Sequence, residues 1–76
     1  MIKEVINYIK DRDFKIIYAN NSVDIINYDN LLEIREDVVT IKKDNKLIIV
    51  RGKDLKLSKL LDDEILIMGI IQKIEL

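Results

Sequence analysis

The only two glycines of this chain each close an apolar, β-branched run, Leu47-Ile48-Ile49-Val50-Arg51-Gly52 and Ile65-Leu66-Ile67-Met68-Gly69. Glycine has no Cβ and reaches positive φ without a clash. Inside a strand it marks a bulge, a sharp bend or a close backbone approach. With Lys53-Asp54-Leu55-Lys56-Leu57 between them, the two runs read as consecutive strands of one small sheet. Gly52 and Gly69 are structural positions on this reading, bends that shape a sheet, and neither anchors a site.

The rest of the chain supports a mainly β architecture. Phe14 opens a β signal, with a strand over Lys15-Ile16-Ile17-Tyr18 and a turn at Asn20-Asn21. Ser22 to Tyr28 alternates in two phases, Val23 and Ile25 on one face and Ile26 and Tyr28 on the other, which predicts a kink near Ile25-Ile26 or a strand covered on both faces. Leu32 to Arg35 is a short strand between turns at Asp29-Asn30 and Glu36-Asp37. Val39 and Ile41 point inward on the first arm of a hairpin, Val38 to Arg51, whose two-residue turn is Asp44-Asn45. Leu60-Leu61-Asp62-Asp63-Glu64 reads as a helical turn or a wide loop that tucks its leucines under the sheet. Ile71, Ile74 and Leu76 finish the last strand and need a bulge between Ile71 and Ile74 to keep register. Lys42, Lys46, Lys56 and Lys73 are outward charges that blunt exposed edges. At the other end, Ile2, Val5, Ile6 and Ile9 have the spacing of a helix face. The expected fold is a single domain, residues 1–76, with a helical segment over 1–12 and a β-sheet body over 14–76. That body is an antiparallel β-meander of about six to eight short strands.

Size and composition bound the rest. A domain of 76 residues buries about 60–65% of its unfolded surface and is marginal without a supplement. Cysteine and histidine are both absent, so disulfides are excluded and only oxygen ligands remain for a metal. Packing or self-association must carry the stability. Net charge is −1, with 13 basic and 14 acidic residues interleaved, so there is no basic block for nucleic acid and no acidic tail. The uncharged run Ile65 to Gln72 is too short to span a bilayer, which takes about 20 apolar residues, and no uncharged run is longer. The first residues, Met1-Ile2-Lys3-Glu4, do not form a signal peptide. A cytoplasmic protein without cofactor or metal is the expectation.

Four constellations invite a chemical reading. Ser58 beside Lys59 or Lys56 is a formal Ser–Lys pair, but neighbours on an extended chain point to opposite faces, and a solvated serine is the simpler reading. Asp62-Asp63-Glu64 is a solvated acidic turn before it is an acid–base pair or a divalent-ion site of a hydrolase. Arg51, Lys53, Lys56 and Lys59 form a basic stripe that a small nucleic-acid- or ligand-binding β module would use. Base stacking needs aromatics on the same face, however, and Tyr8, Phe14, Tyr18 and Tyr28 are all N-terminal. Finally, Leu66, Met68 and Ile70 alternate with Ile65, Ile67 and Ile71, so the face opposite the core is apolar as well and is the candidate partner-binding face. With no catalytic residue set, the chain is expected to be non-enzymatic and to act through a protein partner or through self-association.

Taken together, Val39-Thr40-Ile41, Leu47 to Gly52, Lys53-Asp54-Leu55-Lys56-Leu57-Ser58-Lys59-Leu60, Ile65 to Gly69 and Ile70-Ile71-Gln72-Lys73-Ile74-Glu75-Leu76 resemble the YabP/YqfC family of small sporulation proteins. Val23 to Tyr28 resembles the family's upstream strand, so the likeness covers most of residues 15–76. Two departures stand out: Asp44-Asn45-Lys46 replaces the usual glycine turn, and Leu76 the final aromatic. The resemblance implies an assembly or adaptor role in endospore formation, in the mother cell or at the forespore surface, with peripheral association to a membrane protein as one form of it. It brings no catalytic residues.

Overall fold

The computed structural model describes residues 14–76, which form one antiparallel sheet of six strands. These are β1 (Lys15–Ala19), β2 (Ser22–Ile26), β3 (Asn30–Ile34), β4 (Val38–Lys43), β5 (Lys46–Leu60) and β6 (Glu64–Glu75), in the order β1-β2-β6-β5-β4-β3. The mainly β expectation is borne out. The helix expected over residues 1–12 lies outside the described residues.

The meander of short strands is corrected in two respects. Leu47–Val50 and Leu55–Leu57 are not separate strands but parts of β5, which runs for 15 residues, and β6 runs for 12. Only β3 to β6 follow one another as a meander. The β1–β2 hairpin docks instead on β6, pairing Val23 with Ile67 and Ile25 with Ile65. Each long strand therefore serves two half-sheets. Residues 46–51 of β5 pair with β4 and, over 49–51, with the last residues of β6, whereas its residues 56–60 pair with residues 65–68 of β6, which in turn carry β2.

The two half-sheets close on one core. Val39, Ile41 and Val50 from the first and Val23, Ile25, Ile65 and Ile67 from the second are completely buried in a single apolar cluster, with Tyr28, Ile48 and Leu55 beside them. Each such aliphatic side chain is worth about 1.5–3 kcal/mol when fully buried. No buried charged side chain interrupts the cluster among the described residues. Folding a sheet back on itself requires its shared strands to bend, as in orthogonal packings where corner strands turn at bulges.

The bend lies where the glycines are. The β5–β6 register slips between Arg51 and Gly52 and between Lys53 and Lys56. At Gly52 a Cβ would meet the Ile70 carbonyl oxygen at 2.0 Å, and at Gly69, where φ is +140°, it would meet the Asp54 carbonyl oxygen at 2.7 Å. Each glycine thus admits the backbone of the other strand. Arg51 pairs with Lys73 and Gly52 with Ile71, which leaves Gln72 as the extra residue, the bulge expected between Ile71 and Ile74.

The turns follow their residue chemistry. Asn20-Asn21 and Asp44-Asn45 link β1 to β2 and β4 to β5, with Asn21 and Asp44 at φ of 65° and 58°. Asparagine and aspartate tolerate this region best after glycine. The two-phase stretch after Ser22 does contain a kink, placed at Asn27, whose φ is +68°, one residue after the expected site. It turns Tyr28 back into the core with Val23 and Ile25, and the Tyr28 hydroxyl donates to the Leu61 carbonyl at 2.9 Å. The link between β5 and β6 is a tight turn closed by the Leu61 N–H on the Glu64 carbonyl at 2.8 Å. Its leucines are not tucked under the sheet, because Leu60 and Leu61 are both about half exposed.

Candidate interaction face

The strand register brings two of the sequence candidates onto one surface. On the outer side of the β5–β6 ribbon, Lys53 lies opposite Ile70, Lys56 opposite Met68 and Lys59 opposite Leu66. The basic stripe and the apolar row are therefore the two rails of one ladder, each rung a lysine beside an aliphatic side chain. Met68 and Ile70 are 43% and 51% exposed, and Leu66 is half-buried. The apolar row is not a continuous patch. Across β2, Leu66 is opposite Asp24 and Met68 opposite Ser22, so polar groups flank it on that side also.

The four cations of the stripe differ in their surroundings. The Arg51 Nε donates to Glu75 Oε2 at 2.7 Å, and Lys73 Nζ lies 3.7 Å from the same oxygen. The hydrogen bond from Arg51, helped by its charge and that of Lys73, holds the Glu75 carboxyl below its ordinary value. Lys59 Nζ is 3.7 Å from Glu64 Oε2. Lys53 and Lys56 make no ion pair among the described residues. Exposed pairs such as these add little to stability, so they mainly decide which charges remain available.

One group on this face was not anticipated. Asp24 sits between Val23 and Ile25, where alternation alone reads it as an ordinary solvent-facing residue. The β2–β6 register instead sets it beside Glu64 and Lys59 on the outer face, with its Oδ1 buried and without a hydrogen bond. Burial, then hydrogen bonding and repulsion from the Glu64 carboxylate, raise the Asp24 pKa, opposed by the Lys59 charge. A carboxyl whose pKa is raised on folding binds its proton more tightly in the folded state. Its contribution is favourable below the ordinary carboxylate range and is lost as pH rises through the folded pKa. Asp24→Asn, whose amide can donate to Glu64, is accordingly expected to melt above wild type at neutral pH, with the gap closing on acidification. Thermal melts across the acidic range check this, and a variant that melts lower at neutral pH would contradict it.

The remaining candidates do not converge. Ser58 is exposed at the register slip between Leu57 and Lys59. Asp62 is exposed in the turn, Asp63 gives its carbonyl to the Asn27 N–H, and Glu64 opens β6 on the outer face toward Lys59. No group of three or more acidic side chains able to hold a metal occurs among the described residues. The described aromatics are on the other side of the sheet: Tyr28 is in the core, Phe14 packs against it, and Tyr18 shares the inner face with its cross-strand partner Val23, while Tyr8 lies outside the described residues. No helix among the described residues is long and apolar enough to cross a membrane. No protein-family model matches the chain, and neither a curated protein nor a solved structure matches it significantly.

Proposed function

We propose that this protein is a non-enzymatic assembly module that binds a partner protein through the outer face of the β5–β6 ribbon, in the endospore formation that its YabP/YqfC-like residues imply. The observation that carries this reading is the ladder Lys53–Ile70, Lys56–Met68 and Lys59–Leu66. Lysine stems cover aliphatic neighbours while their ammonium groups stay in water. Such a face complements a protein surface that alternates carboxylates with aliphatic side chains, the charges steering approach and the apolar rungs supplying burial. Lys53 and Lys56, unpaired within the described residues, are the cations such a partner would meet.

The same observation weighs against the nucleic-acid alternative. Arg51 and Lys59 already face carboxylates, and no aromatic residue among the described residues shares the ladder's face for a base to stack on. Binding to a nucleic-acid homopolymer at low salt is expected to be absent. The decisive experiment replaces the gene in the organism that encodes it with Lys56→Glu/Met68→Glu. Reversing the charge and removing an apolar contact worth about 1.5 kcal/mol or more weakens partner binding about tenfold or more. Heat-resistant spore yield is expected to fall while the purified variant melts as wild type does. A normal yield from this variant would remove the face, and a normal yield from a full deletion would remove the process.

A further inference from the structure

We propose that β1 is a self-pairing edge, and that a second copy of this chain adds to it antiparallel about Ile17, joining the two six-stranded sheets into one. This does not rest on the function proposed above, which uses the face of the two central strands rather than an edge. The exposed edges differ from one another. β3 slips register between Leu31 and Glu33 and carries the exposed Arg35–Glu33 and Arg35–Asp37 ion pairs. The flank of β5 beyond β4 slips between Leu57 and Lys59, and the flank of β6 beyond β2 contains the extra residue Gln72. Bulges and charges of this kind keep edges from pairing. β1 alone among these edges pairs without a slip, with β2 over all five residues.

The direction of its backbone groups follows from its neighbours. Asn27 donates to Asp63 and Gly69 donates to Asn21, so alternate residues of β2, starting with Val23, face β6. In an antiparallel ladder the intervening residues face the other way. Ser22, Asp24 and Ile26 therefore bond to Ala19, Ile17 and Lys15, and the N–H and C=O groups of Ile16 and Tyr18 point off the open edge. Pairing about Ile17 places each Ile16 opposite the second copy's Tyr18, with both groups of each residue in position to exchange hydrogen bonds. It also puts an aromatic ring against a β-branched side chain on the inner face, a favourable cross-strand pair. Tyr18, 61% exposed in one chain, is covered in two, and Ile17, 49% exposed, meets its own counterpart on the outer face. Lys15 falls opposite Ala19, so no like charges oppose. The contact is two-fold and closes on itself.

Sedimentation of the full chain from about 1 to about 100 µM tests the proposal, since a dimer of this kind depends on concentration. Wild type is expected to shift from monomer to dimer, and a monomer throughout overturns the proposal. Tyr18→Pro removes an N–H that points off the edge and takes no part in the β1–β2 ladder, so it should melt close to wild type. It should also weaken the dimer about 100-fold through two lost hydrogen bonds and two lost rings. Ile17→Lys and Ile17→Glu each place like charges together at the two-fold axis and should be monomeric alone, whereas their equimolar mixture should dimerise. A mixture that stays monomeric overturns the register. Lys56→Glu should dimerise as wild type does, and loss of its dimer would overturn the assignment to β1.

Discussion

Gly52→Ala is expected to leave little folded protein. The added Cβ would lie 2.0 Å from the Ile70 carbonyl oxygen and 3.0 Å from both the Ile70 carbonyl carbon and Leu55 Cδ2. The leucine can rotate, but the carbonyl cannot, because Ile70 is held in the β5–β6 ladder opposite Lys53. Relief requires the two strands to separate at the point where both half-sheets are joined. A domain of 76 residues has a total stability of roughly 4–11 kcal/mol. A backbone clash of this kind belongs with the exceptional substitutions that cost about 4 kcal/mol or more. Circular dichroism and urea unfolding of the purified variant check the outcome. A melting temperature equal to wild type would show that the crossing is not as close as described.

Gly69→Val is the second large effect, by a different route. Here φ is +140°, a conformation closed to β-branched residues, and the Cβ would also meet the Asp54 and Lys53 carbonyl oxygens at 2.7 and 3.0 Å. Strain and contact act together, and the expected loss is about 2–4 kcal/mol. Some folded protein should remain, because Gly69 adjoins the β2 end of the bend and its N–H bond to the Asn21 carbonyl at 3.0 Å can be given up. The urea midpoint should fall with little change in slope. An unchanged midpoint would remove the bend argument at this position.

These two glycines also show how far the sequence is readable. Their role as bends, the hairpin from Val38 to Arg51, the inward side chains of β4 and the bulge at Gln72 all follow from local pattern, since period-two alternation and turn chemistry are properties of neighbouring residues. What pattern misses is continuity and pairing. Gly52 looks like the end of a strand, because glycine usually interrupts one, yet the ladder to β6 carries the strand through the bend. Nothing near Ser22 indicates that β2 will dock on β6 rather than on β3. That choice comes from burying Val23 and Ile25 on Ile65 and Ile67.

The candidate site was legible in the same partial way. The Arg51–Lys59 stripe and the Leu66–Met68–Ile70 row are each visible as residues. Their union into one ladder is a matter of register between strands. Asp24 was invisible for that reason as well: its partners Glu64 and Lys59 come from two other strands. Leu60 and Leu61 mislead in the opposite sense, because paired leucines suggest burial while the tight turn leaves both exposed.

The sharing of β5 and β6 between both half-sheets bears on how this chain reaches its folded state. Neither half owns a core, since Val39, Ile41 and Val50 are covered by Val23, Ile25, Ile65 and Ile67, and the covering happens only after the ribbon has bent. The β5–β6 hairpin is local and can zip from its turn, whereas β2 must wait for a partner that lies about 40 residues further along the chain. Neither half-sheet of the described residues is therefore expected to fold by itself, and a single cooperative unfolding transition is the expected result. Shortening β6 before Gly69 would forfeit not one strand of six but the hinge through which the other five become a single body.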